Sequence, residues 1–148
     1  MAGFKRDIQI DKAPSEVFAF ACDLQNTPKW LPDVVRVEKL TDGPIRVGTQ
    51  FRETRRMNNK EHSAVIDVTE HESPRLHAAS SSCFGITFTY RYEFEPAGSG
   101  THVRLEASAN SKWYAAPFVG MMLKMMEKMD GDQLEKLKSA MHDGGAAT

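Results

Sequence analysis

The apolar positions of this chain change period twice. Phe4, Ile8 and Ile10 fall on alternate positions in "FKRDIQID", with Arg6 interrupting them, and predict a first strand. In "APSEVFAFACDL" the spacing is helical instead. Val17, Phe18, Ala21 and Leu24 form a stripe, Pro14 suits a first turn and Ser15 can cap. Pro28 and Pro32 restrict "QNTPKWLPD" to a short helix or a pair of turns. From Val34 to Asn110, turn signals separate short alternating runs roughly every ten residues, which predicts an antiparallel meander. After Pro117 comes the only long helical pattern, ending near His142. Strand, short helices, several strands, then a long helix is an α+β plan.

Two hairpins can be put in register. Asn58-Asn59 tolerates positive φ and predicts a two-residue turn that sets Met57 against Lys60. Arg55 then faces His62, Glu53 faces Ala64 and Phe51 faces Ile66. A one-residue slip would turn one of that last apolar pair outward. Arg56 meets Glu61 on the solvent side. In the second hairpin, "ITFTYRYEF" returns through "EPAGSG" to "THVRLEASA". Glu93 opposite Arg104 and Arg91 opposite Glu106 join opposite charges outside, with Phe94 on Val103 and Tyr92 on Leu105 inside. One sheet face is therefore wet and the other covered.

The cover is the last helix. Five of the eight methionines fall between Met121 and Met129. On a helix, Phe118, Met121, Met122, Met125, Met126 and Met129 share an arc about 140° wide. Past Gly131 the stripe moves to Leu134, Leu137 and Met141, and Asp130-Gly131 is a candidate break. Methionine specifies a packed shape poorly and is typical of surfaces that re-pack around varied apolar partners. The strand parity puts the small residues Ala64, Ala78, Ser80, Ser82, Ala107 and Ala109 on the covered face. Together these features fit either an apolar cavity lined by Phe51, Phe88, Tyr90, Tyr92 and the methionines or a core loosely filled by the same side chains.

Composition narrows the picture mainly by exclusion. The 148 residues carry 19 basic and 20 acidic side chains and a net charge of −1, which argues against a nucleic-acid or acidic-membrane binder. Two cysteines, Cys22 and Cys83, permit at most one disulfide and form no metal-binding pair. The opening "MAGFKRDIQI" lacks the apolar core of a signal peptide, and no run reaches transmembrane length. A reduced, cytoplasmic protein without stable membrane insertion is expected, monomeric or homodimeric. The tail over residues 143–148 is expected to be flexible.

Short motifs then carry a family resemblance. "IDKAPSEVFAFACDLQNTPKWLPDV", "VGTQFRE" and the turn in "VTEHESPRLHA" resemble, in that order, recurrent stretches of the START-like (SRPBCC) superfamily. The match runs from about residue 4 to 141, as one START-like domain spanning 1–148. Within the superfamily the chain is most similar to the polyketide cyclase/dehydrase and lipid-transport group. The resemblance implies a helix-grip fold, in which a curved antiparallel sheet wraps a long C-terminal helix around a cavity. Members include pollen allergens, lipid carriers, aromatase/cyclases, ubiquinone-binding proteins and hormone receptors, so the fold alone names no chemistry.

No catalytic signature is present, and no cofactor or metal is expected. The polar candidates come from the register: Glu53, Arg55 and His62 on the inner face, with Ser82 near His62. In a cyclase, His62 would serve as acid or base and Arg55 as an oxyanion or carboxylate anchor. Arg55 could equally pair with Glu53. His71 and His77, beside Glu70 and Glu72, read as a solvated loop, since their spacing suits no standard metal site. Trp30 and Trp113 are placed near the cavity mouth. The expected ligand contacts are thus Trp30, Phe51, Ser80, Ser82, Phe88, Tyr90, Tyr92, Trp113, Phe118, Met122, Met125 and Met129. The leading reading is a binding protein for a small hydrophobic ligand: a lipid, polyketide, quinone or aromatic metabolite. A polyketide cyclase/dehydratase is the alternative, and a surface-mediated interaction module the third.

Overall fold

A computed structural model describes residues 2–144. Of the tail expected to be flexible, residues 145–148 lie outside that range. Seven strands form one antiparallel sheet: β1 (Ala2–Ile10), β2 (Val34–Lys39), β3 (Gln50–Met57), β4 (Lys60–Glu72), β5 (Leu76–Cys83), β6 (Ile86–Ala97) and β7 (Gly100–Ser111). Their order across the sheet is β1-β7-β6-β5-β4-β3-β2, so the meander closes by bringing β1 back beside β7. Helix α1 (Pro14–Cys22) and a 3₁₀ turn (Leu24–Lys29) follow β1, and α2 (Val119–Asp130) and α3 (Gln133–Ser139) close the fold. This is the expected helix-grip arrangement.

Both hairpin registers hold. Asn58 and Asn59 adopt φ of 52° and 63°, and Met57↔Lys60, Arg55↔His62, Glu53↔Ala64 and Phe51↔Ile66 are paired. In the second hairpin Glu93↔Arg104, Arg91↔Glu106, Phe94↔Val103 and Tyr92↔Leu105 are paired. The ion pairs on its outer face do not run straight across the hairpin. Arg91 bonds Glu70 and Glu93, and Arg104 bonds Glu95.

The parity of β5 is the reverse of the expected one. Ala79 pairs with Tyr90 and Ser81 with Phe88, so His77, Ala79 and Ser81 share the covered face. Ala78, Ser80 and Ser82 face outward, Ala78 opposite Arg91 and Glu70, and Ser82 hydrogen-bonded to Thr87 on the outer surface. Ser82 is therefore not beside His62. A run of alanines and serines has no apolar alternation from which parity could be read. A bulge between Val68 and Glu70 then resets β4, so that His71 turns inward opposite His77.

Two further details depart from the sequence reading, and its candidate helix break at Asp130-Gly131 is met. Ala13, not Ser15, is the N-cap of α1, with Pro14 in the first turn. The segment before α2 is a 3₁₀ turn, Trp113–Phe118, containing Pro117. The last helix is two helices, because Gly131 and Asp132 interrupt it. Cys22 is buried and Cys83 exposed, and both are free thiols.

The core divides into three clusters. The largest gathers Ile10, Val17, Phe18, Phe94, Val103, Leu105, Leu134, Leu137 and Met141, joining α1 and α3 to the β1–β7–β6 side. Leu24, Phe51 and Val68 form a second, and Ile86, Ala109 and Ala115 a third under the start of α2. Helix α2 lies closely on β1 and β7, where Ala107 and Ala109 are buried and Arg6 reaches Glu127 at 2.5 Å. The small residues of β7 thus admit the helix rather than leave room beneath it. The room is further along the sheet.

Candidate functional site

A cavity of about 570 Å³ lies between β3–β6 and the helical layer, within the size range of small-molecule sites. Its sheet wall carries Glu53, Arg55 and Met57 from β3, His62, Ala64 and Ile66 from β4, Ala79 and Ser81 from β5, and Phe88, Tyr90 and Tyr92 from β6. Ala21, Leu24, Trp30 and Leu31 close one side, and Met122, Met125, Met126, Met129, Asp130 and Gln133 the roof. Phe84, 85% exposed, and the exposed Cys83 and Met125 mark the opening to solvent. The tip of the β5–β6 turn lies against Tyr114, whose ring would come within 2.8 Å of a Cβ at Gly85 (φ +78°).

Most of the residues named as ligand contacts border the cavity. Trp30, Phe88, Tyr90, Tyr92, Met122, Met125 and Met129 all border the cavity, with Trp30 buried in its wall instead of standing at the mouth. Ser80 and Ser82 border it as well, although their register positions lie on the outer face. Three expected contacts do not border it. Phe51 is fully buried against Leu24 and Val68. Trp113 is 86% exposed beyond the rim, and Phe118 is exposed beside the exposed Met121. The methionine arc is wider than the cavity, and only its inner part faces it.

The polar groups converge at one place. Arg55 donates from Nε to Glu53 Oε1 at 2.7 Å and from Nη1 to Asp130 Oδ1 at 2.8 Å. Tyr90 donates its hydroxyl to Asp130 Oδ2 at 2.6 Å. Tyr92 donates to Gln133 Oε1, and Gln133 Nε2 reaches back to the Asp130 carbonyl at 3.2 Å. The Arg55 side chain is only 14% exposed, so it does not reach water at the hairpin tip. Burial pulls its guanidinium down, but Glu53 and Asp130 more than offset this and hold it firmly charged. The Tyr90 phenol is pushed well up by burial and then by Asp130, and Tyr92 likewise. Both tyrosines therefore donate hydrogen bonds and do not act as bases. His62 is exposed, bordering the cavity across from Arg55.

Two site residues escape the sequence reading. Asp130 reads there as a helix breaker, although it lies on the same helical arc as Met122 and Met126, a signal the sequence does contain. His77 reads as solvated with His71, yet it is 2% exposed. Its Nδ1 lies 3.1 Å from Nδ1 of His71, and Phe18 packs on both rings. Burial, followed by the neighbouring His71, pushes His77 down to about 4. Its Nε2 has no hydrogen-bond partner among the described residues. The neighbouring carboxylates are turned to arginines, Glu70 to Arg91 and Glu72 to Arg75.

Comparison with known proteins agrees with this architecture. One domain of the di-domain ARO/CYC BexL from the BE-7585A biosynthetic pathway superposes with a TM-score of 0.78 at 17% identity, covering 96% of this chain and 47% of that one. A protein from Thermus thermophilus gives 0.76 at 18% identity, covering 99% of this chain and 100% of that one. A START superfamily protein from Mycobacterium smegmatis gives 0.68 at 16%, covering 93% and 92%. At such identities these likenesses establish the fold alone. No curated protein matches the sequence at the significance required. A family profile, however, matches residues 1–142, and by it the chain belongs to the polyketide cyclase / dehydrase and lipid transport family.

Proposed function

We propose that this protein binds a small, largely apolar molecule in the cavity between the sheet and the methionine face of α2. The observation that carries this reading is the cavity of about 570 Å³, walled by aromatic, aliphatic and methionine side chains around one cluster of polar groups. Such a combination holds an apolar body and fixes one polar end. The five bordering methionines suit ligands of varied shape, because an unbranched thioether re-packs at little cost. Family membership supports the same reading, with lipids, polyketides, quinones and aromatic metabolites as the ligand classes.

The test is titration with Nile red, a neutral solvatochromic dye. Saturable binding with a blue-shifted emission is expected. Ala79→Phe, which puts a ring into the cavity opposite Tyr90, is expected to weaken binding about tenfold or more while leaving the circular dichroism unchanged. Dye binding that is absent from the wild type, or indifferent to Ala79→Phe, would remove the cavity as the site.

A second reading, a cyclase or dehydratase, is favoured by the Glu53–Arg55–Asp130–Tyr90 cluster at the cavity wall. Enzymes of that kind must move protons on a bound chain of ketones, and Glu53 is placed to accept one while Arg55 keeps Nη2 to donate to an oxygen. In that case Glu53→Gln abolishes turnover of a poly-β-keto substrate and retains Nile red binding.

A further inference from the structure

The polar cluster holds two carboxylates against one guanidinium. Glu53 and Asp130 both bond Arg55, and their side chains are only 12% and 7% exposed. Arg55 is the one lysine or arginine among the described lining residues. The nearby His77 is held neutral, which adds no positive charge to the wall. By formal count, this end of the cavity carries an excess of one negative charge.

The two carboxylates differ in what they leave unused. Both oxygens of Asp130 are occupied, by Arg55 and by Tyr90. Glu53 uses Oε1 for Arg55, and its Oε2 accepts no bond among the described residues although the residue borders the cavity. Arg55 keeps Nη2, but its charge is already shared by two carboxylates at 2.7 and 2.8 Å. An anionic head group could reach only the remaining N–H groups of Arg55, and would set a third negative charge beside Glu53 and Asp130 in a shielded site, which is unfavourable. A hydroxyl meets no such obstacle, since it completes the unused valence of Glu53.

We infer that the cavity selects ligands whose polar end donates a hydrogen bond and carries no negative charge, alcohols and phenols over carboxylates and phosphates, and that Glu53 sets this selection. The inference rests on the binding reading above and reverses the sequence expectation of Arg55 as a carboxylate anchor. It also separates the two carboxylates by role. Asp130 is a positioning residue for Arg55 and Tyr90, and Glu53 makes the ligand contact.

The test uses two naphthalenes that differ only at the polar end, 2-naphthol and 2-naphthoate, as displacers of Nile red at pH 7. The naphthol is expected to displace the dye at a concentration roughly tenfold or more below that of the naphthoate, as for like charges set against each other in a shielded site. Glu53→Gln keeps the side-chain volume and removes the charge, and should narrow that ratio to about threefold or less. Glu53→Asp keeps the charge and should preserve the preference. The inference is overturned if the naphthoate displaces the dye as well as the naphthol does, if the naphthol fails to displace it, or if Glu53→Gln leaves the ratio unchanged. The wild-type ratio decides the selection even if a variant does not fold. Absence of Nile red binding defeats the binding reading and this inference with it, whereas dye binding with naphthoate preferred defeats the inference alone.

Discussion

At His77, burial sets the protonation state, and stability follows. An ordinary histidine takes up its proton near pH 6.5, whereas folded His77 does so only near 4. Between those values the unfolded chain binds a proton that the folded chain refuses. Stability is therefore full above about pH 6.5 and falls as the pH drops towards 4, by about 3 kcal/mol in total. Burial also lowers His71, and the two act in the same direction. Urea denaturation should show the wild type about 2 kcal/mol less stable at pH 5 than at pH 7.5, with His77→Gln losing most of that difference. An equal loss in the variant would assign the pH dependence elsewhere. Nothing in "RLHAAS" announces this residue, because a histidine among alanines and serines has no periodic context. Asp130 differs: its place one turn beyond Met126 is legible, and only the glycine beside it turns the reading towards a helix break.

Among the elements, the break between α2 and α3 sets two physical effects against each other. Gly131 has φ −63° and ψ −23°, which any residue adopts, so helix propensity alone predicts that Gly131→Ala stabilises by about 1 kcal/mol. A Cβ there, however, would sit 2.4 Å from the Glu127 carbonyl oxygen. That oxygen is backbone and accepts the Gly131 N–H at 2.7 Å, so it cannot swing aside. The collision wins, and Gly131→Ala should destabilise by roughly 1–3 kcal/mol in chemical denaturation. A gain in stability would mean that α2 and α3 straighten at no cost. The strands show where sequence patterning is informative. Hairpins with apolar alternation on one face and opposite charges on the other are legible to the residue pair. Strand β5 is not, because Ala and Ser satisfy either face, and the bulge in β4 shifts the phase between two stretches that each look regular.

Across the whole molecule, the proposed binding would be coupled to folding. The cavity's walls come from the segment after α1, from four strands and from both closing helices, so a ligand seated there touches elements that meet only in the native state. A ligand at a hundred times its Kd adds about 2.7 kcal/mol of stability. For a chain of this length that raises Tm by roughly 5–10 °C. Differential scanning fluorimetry with 2-naphthol should show the rise in the wild type and its loss in Ala79→Phe, while an equal rise in both would place binding outside the cavity. The fold itself is largely legible as a succession of periods, and the motifs supply its closure. The cavity is legible in kind but not in place: the small residues of β7 serve to seat α2, and the space lies over Ala64, Ala79 and Ser81. The pairing of β1 with β7 bears on how such a molecule is made. Ala2 meets Ala109, so the sheet's first strand to be synthesised is paired only after its last has emerged. Until then β7 presents a bare edge, and α2 has neither β1 nor Arg6 to rest against. Joining strands so distant in sequence is a slow, entropically costly step. Closure of the sheet is thus expected late in folding, with the apolar interior exposed until β1 docks.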